Sequence, residues 1–222
     1  GDRIACQCGT PQCPNPTTPA LAASVVIHVV AEQATVDAAA RTVQTRSPRT
    51  QHTDDGSATA PAGGQAGLTA PAVMTTGGVV PTPLLAALIR NGAALIPLRT
   101  PCPQAEDRYR PSAALQRFVR SRDMTCRFPG CSTPAENCDI DHAIAYPAGP
   151  THPSNLRCLC RKTHLLKTFY TGDGGWSDRQ YPDGRIEWTA PTGRTYITHP
   201  GARVFFPDWD ISTAELPPPP AG

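Results

Sequence analysis

The stretch CRFPGCSTPAENCDIDHAIAYPAGPTHPSNLRCLCRKTHLLKT, residues 126–168, decides how this chain is read. It holds five of the nine cysteines and three of the six histidines. Cys126 and Cys131 enclose four residues that include Pro129 and Gly130, a knuckle that turns the chain so that two thiolates can meet one metal ion. Cys160 and position 163 have the spacing of the second half of such a site, but position 163 is Thr163, a poor zinc ligand. Cys138, Cys158 or a water molecule is a candidate for the missing ligand. A small module of this kind takes much of its folding energy from its metal, so the ligand count bears on the fold as well as on function.

Between the thiolates lies a second group of polar residues. Asp139-Ile140-Asp141-His142 reads as a strand. Neighbouring side chains on a strand point apart, so Asp141 and His142 serve different roles. Asn155 follows His142 by 13 positions, and His164 follows Asn155 by 9. Asn155 suits a helix start, and LRCLCRKTHLLKT over 156–168 is expected to be the helix that presents His164. Arg161, Lys162 and Lys167 on it are candidate phosphate contacts. Phosphodiester hydrolysis needs a metal to stabilise developing charge and a base to deprotonate water. An imidazole fits the base role because its unperturbed pKa lies near neutrality. His152, placed between Thr151 and Pro153, is not expected to be a ligand.

The order Asp-His, Asn, His, flanked by thiolates, resembles the HNH endonuclease family, also called the ββα-metal nucleases. The resemblance implies that His142 is the general base and that Asp141 and His164 hold a catalytic divalent ion, magnesium or similar. It implies further that Asn155 orients the site and that Cys126, Cys131 and Cys160 bind a structural zinc. In relatives position 163 is usually Cys or His, so the likeness breaks at one of four structural positions. The activity implied is metal-dependent endonucleolytic cleavage, with DNA as the partner. Three other readings stand beside it: a structural zinc-ribbon-like knuckle on Cys126, Cys131, Cys158 and Cys160, a non-catalytic DNA-binding zinc-knuckle module, and a decayed copy without activity.

Outward from this stretch, YRPSAALQRFVRSRD over 109–123 reads as a helix capped by Ser112, with Leu115, Phe118 and Val119 on its apolar face. Its arginines, Arg120 and Arg122 above all, are candidate contacts to a phosphate backbone. Further upstream, Pro83 suits a first helical turn, Leu84, Leu85, Leu88 and Ile89 form one apolar stripe, and Asn91-Gly92 stops the helix. Leu95 to Leu98 reads as a strand. The β-branched run near His28 favours a strand through about Ala31. Residues 41–70 carry almost no large apolar side chain and read as a linker. Cys6, Cys8 and Cys13 form either a metal knuckle, completed by Cys102 or His28, or a loop with free thiols. Downstream, the turns at Pro182-Asp183-Gly184 and Pro191-Thr192-Gly193 predict a small antiparallel meander packing Trp176, Trp188 and Tyr196. CQCGTPQC, VVIHVV, GGVVPTPLLAALI and the 109–131 stretch together resemble the latter part of an actinobacterial family. In that family a domain of unknown function precedes a C-terminal HNH domain.

The expected fold class is therefore α+β, a small ββα core with loop-rich flanks. Residues 1–107 are expected to be the end of the domain of unknown function and 108–170 the nuclease-like module. Residues 171–210 are expected to form the meander and 211–222 a disordered tail. Twenty-six prolines and 18 glycines in 222 residues support the loop-rich expectation. A net charge of +2 is too mild to indicate a nucleic-acid partner by itself, so phosphate binding would need a local patch. No run approaches the roughly 18 apolar residues of a membrane span. Clustered thiols without an opening apolar signal fit a reduced, cytoplasmic setting with metal-binding thiolates. The chain opens at Gly1 rather than Met and is expected to be an N-terminally truncated member.

Overall fold

The computed structural model describes residues 26–44, 70–170, 172 and 174–216. The expected knuckle at Cys6, Cys8 and Cys13, most of the 41–70 linker and the end of the tail lie outside the described residues. Within them the fold is α+β, with three small antiparallel sheets and short helices. No helix among the described residues is long and apolar enough to cross a membrane.

The front of the chain forms β1 (Val29–Val30), α1 (Gln33–Gln44), β2 (Ala72–Met74), β3 (Val79–Val80) and α2 (Thr82–Arg90). The strands pair in sequence order. The expected strand near His28 is thus only two residues long, and the alanine-rich segment after it is a helix. Ala is the strongest helix former, and Ala39 is fully buried against Ala72, Val80, Leu85 and Ala86. Pro83 sits in the first turn of α2 and Asn91 caps its end, as the residues suggest. The expected strand at Leu95–Leu98 does not form. Pro97 withholds an N–H, and Leu95 and Ile96 stand more than half exposed.

The second half is built on α3 (Ala113–Asp123), β4 (Cys138–His142), β5 (Leu156–Cys160) and α4 (Arg161–Phe169). Ser112 caps α3 by accepting a hydrogen bond from the Leu115 N–H at 3.2 Å. Leu115, Phe118 and Val119 then enter a core shared with Leu156, Cys158 and Leu159. Residues 156–160, expected as the first turns of a helix, are instead the second strand of a hairpin. They pair with β4 in a register running from Cys138↔Cys160 to His142↔Leu156. Every β5 residue is buried, and the ladder supplies all-round burial that a lone helical face would not. The helix begins only at Arg161, so the unit is strand, strand, helix.

The meander forms as its turns indicate: β6 (Ser177–Gln180), β7 (Ile186–Thr189) and β8 (Thr195–Thr198). Trp188 is fully buried against Phe128, and Trp176 and Tyr196 pack beside it. After it comes a single turn, α5 (Ala202–Phe205). Two buried arginines join meander to hairpin through Asp123. Arg122 Nε and Arg127 Nη1 donate to Asp123 Oδ1 at 2.8 and 3.0 Å. Arg122 goes on to the carbonyls of Pro153 and Leu156, and Arg127 to those of Gly184 and Thr198. Arg122 is only 1% exposed. It is therefore corrected from a phosphate contact to an internal brace.

Candidate metal centre and candidate active site

Period-2 alternation divides the hairpin residues between two faces. Cys138, Ile140 and His142 share one face with Cys158 and Cys160, while Asp139 and Asp141 share the other with Arg157. The first face carries thiols at one end and an imidazole at the other. The second face lies under α4.

At the thiol end, the Sγ atoms of Cys126, Cys131 and Cys160 lie within 4.8 Å of one another, and this group could hold a metal ion. Cys131 and Cys160 are 3.8 Å apart. The Cys160 N–H donates to Cys126 Sγ at 3.3 Å. Thr163 Oγ1 stands 3.2 Å from Cys126 Sγ and 3.3 Å from Cys160 Sγ, beside the three thiols. The Cys138 thiol, the Thr163 hydroxyl and two backbone N–H groups hold the Cys126 thiol down to about 4 against the opposing effect of burial. Cys138 itself is pushed up, first by that bond to Cys126 and then by burial. Cys158 points elsewhere, 4.0 Å from the Val119 carbonyl, and stands outside the group.

On the other face, α4 brings His164 to Asp141. His164 Nε2 lies 3.4 Å from Asp141 Oδ1, and His164 Nδ1 lies 2.9 Å from Asp139 Oδ2. With Nδ1 donating to Asp139, the ring turns Nε2 toward Asp141. This carboxylate–imidazole arrangement fixes a ligand's tautomer and orientation in metal sites. The His164 bond, with Arg161 behind it, holds the Asp139 carboxyl below the usual carboxylate range despite some burial. Asp141 Oδ2 accepts from Arg157 Nε at 3.1 Å and from Lys167 Nζ at 2.9 Å. Lys167 also donates to the His142 carbonyl. Burial and the nearby Arg157 lower the Lys167 pKa.

His142 ends β4 on the opposite face. Its Nε2 is 2.9 Å from Thr151 Oγ1, and that hydroxyl donates to the Arg108 carbonyl. With its proton so spent, Thr151 accepts from His142 Nε2–H, which leaves the Nδ1 lone pair available. Burial lowers the His142 pKa; the Asp141 charge opposes this and the Lys167 charge adds to it. The Asp141 and Lys167 charges therefore act on the His142 ring. Asn155 touches neither carboxylate nor imidazole in its hydrogen bonds. It staples the intervening loop, accepting from Ile144 N at 2.8 Å and donating to Ile144 O and Pro150 O at 2.9 Å each. Gly149 permits this: a Cβ there would lie 2.6 Å from Asn155 Nδ2 and 2.2 Å from the Ile144 carbonyl.

Asp141 and His164 are thus brought together, His142 follows Asp141 on the other face of β4, and Asn155 holds the loop after it. The basic candidates scatter. Arg120 is committed to the Ala135 and Cys138 carbonyls. Lys167 lies on Asp141 rather than free at the surface. Arg161 is well exposed with a 3.3 Å contact to Asp139, and Lys162 is exposed. His152 is buried and structural, with Nε2 3.1 Å from the Pro103 carbonyl and Nδ1 accepting from Ser154 N. Three contributors carried no expectation: Asp139, Thr151 and Arg157. Asp139 was readable, since it precedes Asp141 by two and so shares its strand face. Thr151 and Arg157 meet the site only through tertiary contacts.

Over residues 1–123 the sequence matches the family described as Domain of unknown function (DUF222). The chain belongs to the DUF222 family. The match ends at Asp123, the last residue of α3, ahead of the hairpin and α4. This DUF222 chain is 53% identical to the uncharacterized protein Rv3776 of Mycobacterium tuberculosis, across 99% of its own length and 41% of the relative's. It is 52% identical to the uncharacterized proteins Rv2100 and MT2160 from two strains of the same organism, across 97% of its length and 41% of theirs. The chain therefore spans about two fifths of the curated relatives it matches. No solved structure matches it.

Proposed function

We propose that the β4–β5–α4 unit is a metal-dependent phosphodiesterase site of the HNH type, acting on DNA. The observation that carries this reading is the 3.4 Å approach of His164 Nε2 to Asp141 Oδ1, with Nδ1 of the ring engaged by Asp139. Two ligands bound at about 2.1 Å to one ion stand roughly 3.0–3.4 Å apart. Asp141 Oδ1 and His164 Nε2 would hold the divalent ion, magnesium or similar, while Oδ2 stays with Arg157 and Lys167. Such an ion, when bound, stabilises charge on the phosphate and the leaving oxygen. His142 accepts the proton of the attacking water at Nδ1, its other nitrogen being fixed by Thr151. Asn155 keeps the loop beside it in one conformation.

The three thiolates fit a structural zinc. Zn–S bonds of about 2.3 Å in a tetrahedron set sulfurs roughly 3.8 Å apart, the separation of Cys131 and Cys160. Thr163 leaves the fourth position to its own hydroxyl or to water.

A second reading, a metal-held DNA-binding module without catalysis, draws on the two cations already resting on Asp141. Nicking of supercoiled plasmid separates the two. Under the first reading wild type nicks in a divalent-dependent way, and His142→Ala binds DNA but does not nick. Under the second both proteins bind and neither nicks at any magnesium or manganese concentration.

A further inference from the structure

The geometry points to Tyr109 and Tyr146 as a stacking platform for an unpaired nucleobase next to the phosphate that is cut. This inference rests on the phosphodiesterase reading and adds a substrate class to it: single strands, flaps or frayed ends rather than intact duplex.

The Tyr109 ring lies nearly parallel to the His142 ring, with centroids 5.4 Å apart and planes 14° apart. Tyr146 completes the group, 5.7 Å from Tyr109 and 6.1 Å from His142. Tyr109 is 62% exposed and Tyr146 38%. Two large aromatic surfaces therefore stand in solvent against the one imidazole assigned to proton transfer. Arg108 and Arg110, both exposed, flank Tyr109 in sequence, giving an aromatic ring between two cations. That alternation suits a single strand, whose phosphates take the cations and whose bases take the ring faces.

The platform is held in place. Thr151 Oγ1, which fixes His142, also bonds the carbonyls of Arg108 and Tyr109. The Glu106 N–H donates to the Thr151 carbonyl at 2.9 Å. Tyr146 rides on the loop that Asn155 ties at both Ile144 and Pro150. One set of hydrogen bonds thus ties the proton acceptor and the stacking surface together. A base inside a duplex already has both faces covered by its neighbours, so only an unpaired base can lie on the ring.

The test uses the full chain without added divalent ion and a single-stranded DNA dodecamer carrying 2-aminopurine, with the paired duplex as comparison. Wild type should quench the fluorophore of the single strand and bind it about tenfold more tightly than Tyr109→Leu does. Tyr146→Leu should give a smaller loss, and Tyr109→Phe should keep both quenching and affinity. A ring that only covers His142 would instead leave single-strand affinity unchanged in Tyr109→Leu. That result, or equal binding and quenching of the duplex, overturns the platform. Cleavage assayed in parallel separates the two ideas. Quenching without nicking leaves the platform standing and removes the nuclease reading; duplex nicking that survives Tyr109→Leu, with no quenching, does the reverse.

Discussion

Asp123 and Asp141 each lie against two cationic side chains, but their second oxygens meet different partners. Asp123 Oδ1 takes Arg122 and Arg127, and Oδ2 takes the Cys158 N–H at 2.8 Å. Burial pushes this carboxyl up, yet the two arginines and that N–H overcome it and hold the pKa below the usual range. The group is closed on itself, with no lone pair facing a site. Asp141 Oδ2 is similarly taken by Arg157 and Lys167, but Oδ1 faces Nε2 of His164 at 3.4 Å. Closure makes a brace, and an oxygen set against a single imidazole nitrogen makes a candidate ligand.

The largest effect that sharpens this contrast is on chemistry. Asp141→Asn should lower plasmid nicking by about 10²–10⁴-fold. It keeps an acceptor for Lys167, and Arg157 retains Asp178, so stability should fall by only about 1–2 kcal/mol. Asp123→Asn should do the opposite. Breaking a buried ion cluster costs about 3–5 kcal/mol, read as a lower denaturation midpoint, while nicking per folded molecule is kept. Equal stability losses in the two variants would erase the distinction.

Next is the thiolate corner, where Thr163 stands beside the three thiols. Thr163→Cys should tighten zinc binding on the order of tenfold or more, measured by competition with a chelator. Lys167→Met removes one cation from Asp141. It should lower the divalent concentration needed for half-maximal nicking by several-fold, since about 1 kcal/mol of like-charge repulsion is removed. The smallest effect is on pH. Burial pushes the His152 imidazole below its ordinary value, and the carbonyl of Pro103 only partly offsets this. The unfolded chain takes up this proton near 6.5, where the folded chain resists it. Stability is therefore full above that value and declines as pH falls below it, by up to about 1.4 kcal/mol per pH unit. His142, lowered by burial, acts in the same direction. Urea denaturation at pH 7.5 and 5.5 measures the difference.

Much of this was legible from local pattern. The Ser112 cap, the Leu115–Phe118–Val119 face and the meander turns need only neighbouring residues, and each forms. So does the grouping of three thiolates, which follows from knuckle spacing. The misreadings around the hairpin share one cause. Residues 156–160 were expected in a helix because Asn155 suits a helix start; pairing with β4 decided otherwise, and the paired residues are 14 to 22 positions away in the sequence. Lys167 resembles a surface cation in any local window, and only the fold puts Asp141 beneath it; Arg122 has Asp123 next to it in sequence, but its burial comes from the fold. Asp139 needed no such contact, since strand periodicity alone places it beside Asp141.

Diffraction from crystals soaked in manganese, collected at the metal's absorption edge, shows whether an ion binds between β4 and α4. An anomalous peak is expected within about 2.3 Å of both Asp141 Oδ1 and His164 Nε2, absent in Asp141→Asn crystals. Fully soaked crystals with no such peak, and with the His164 ring still bridging Asp139 and Asp141, would contradict ion binding there.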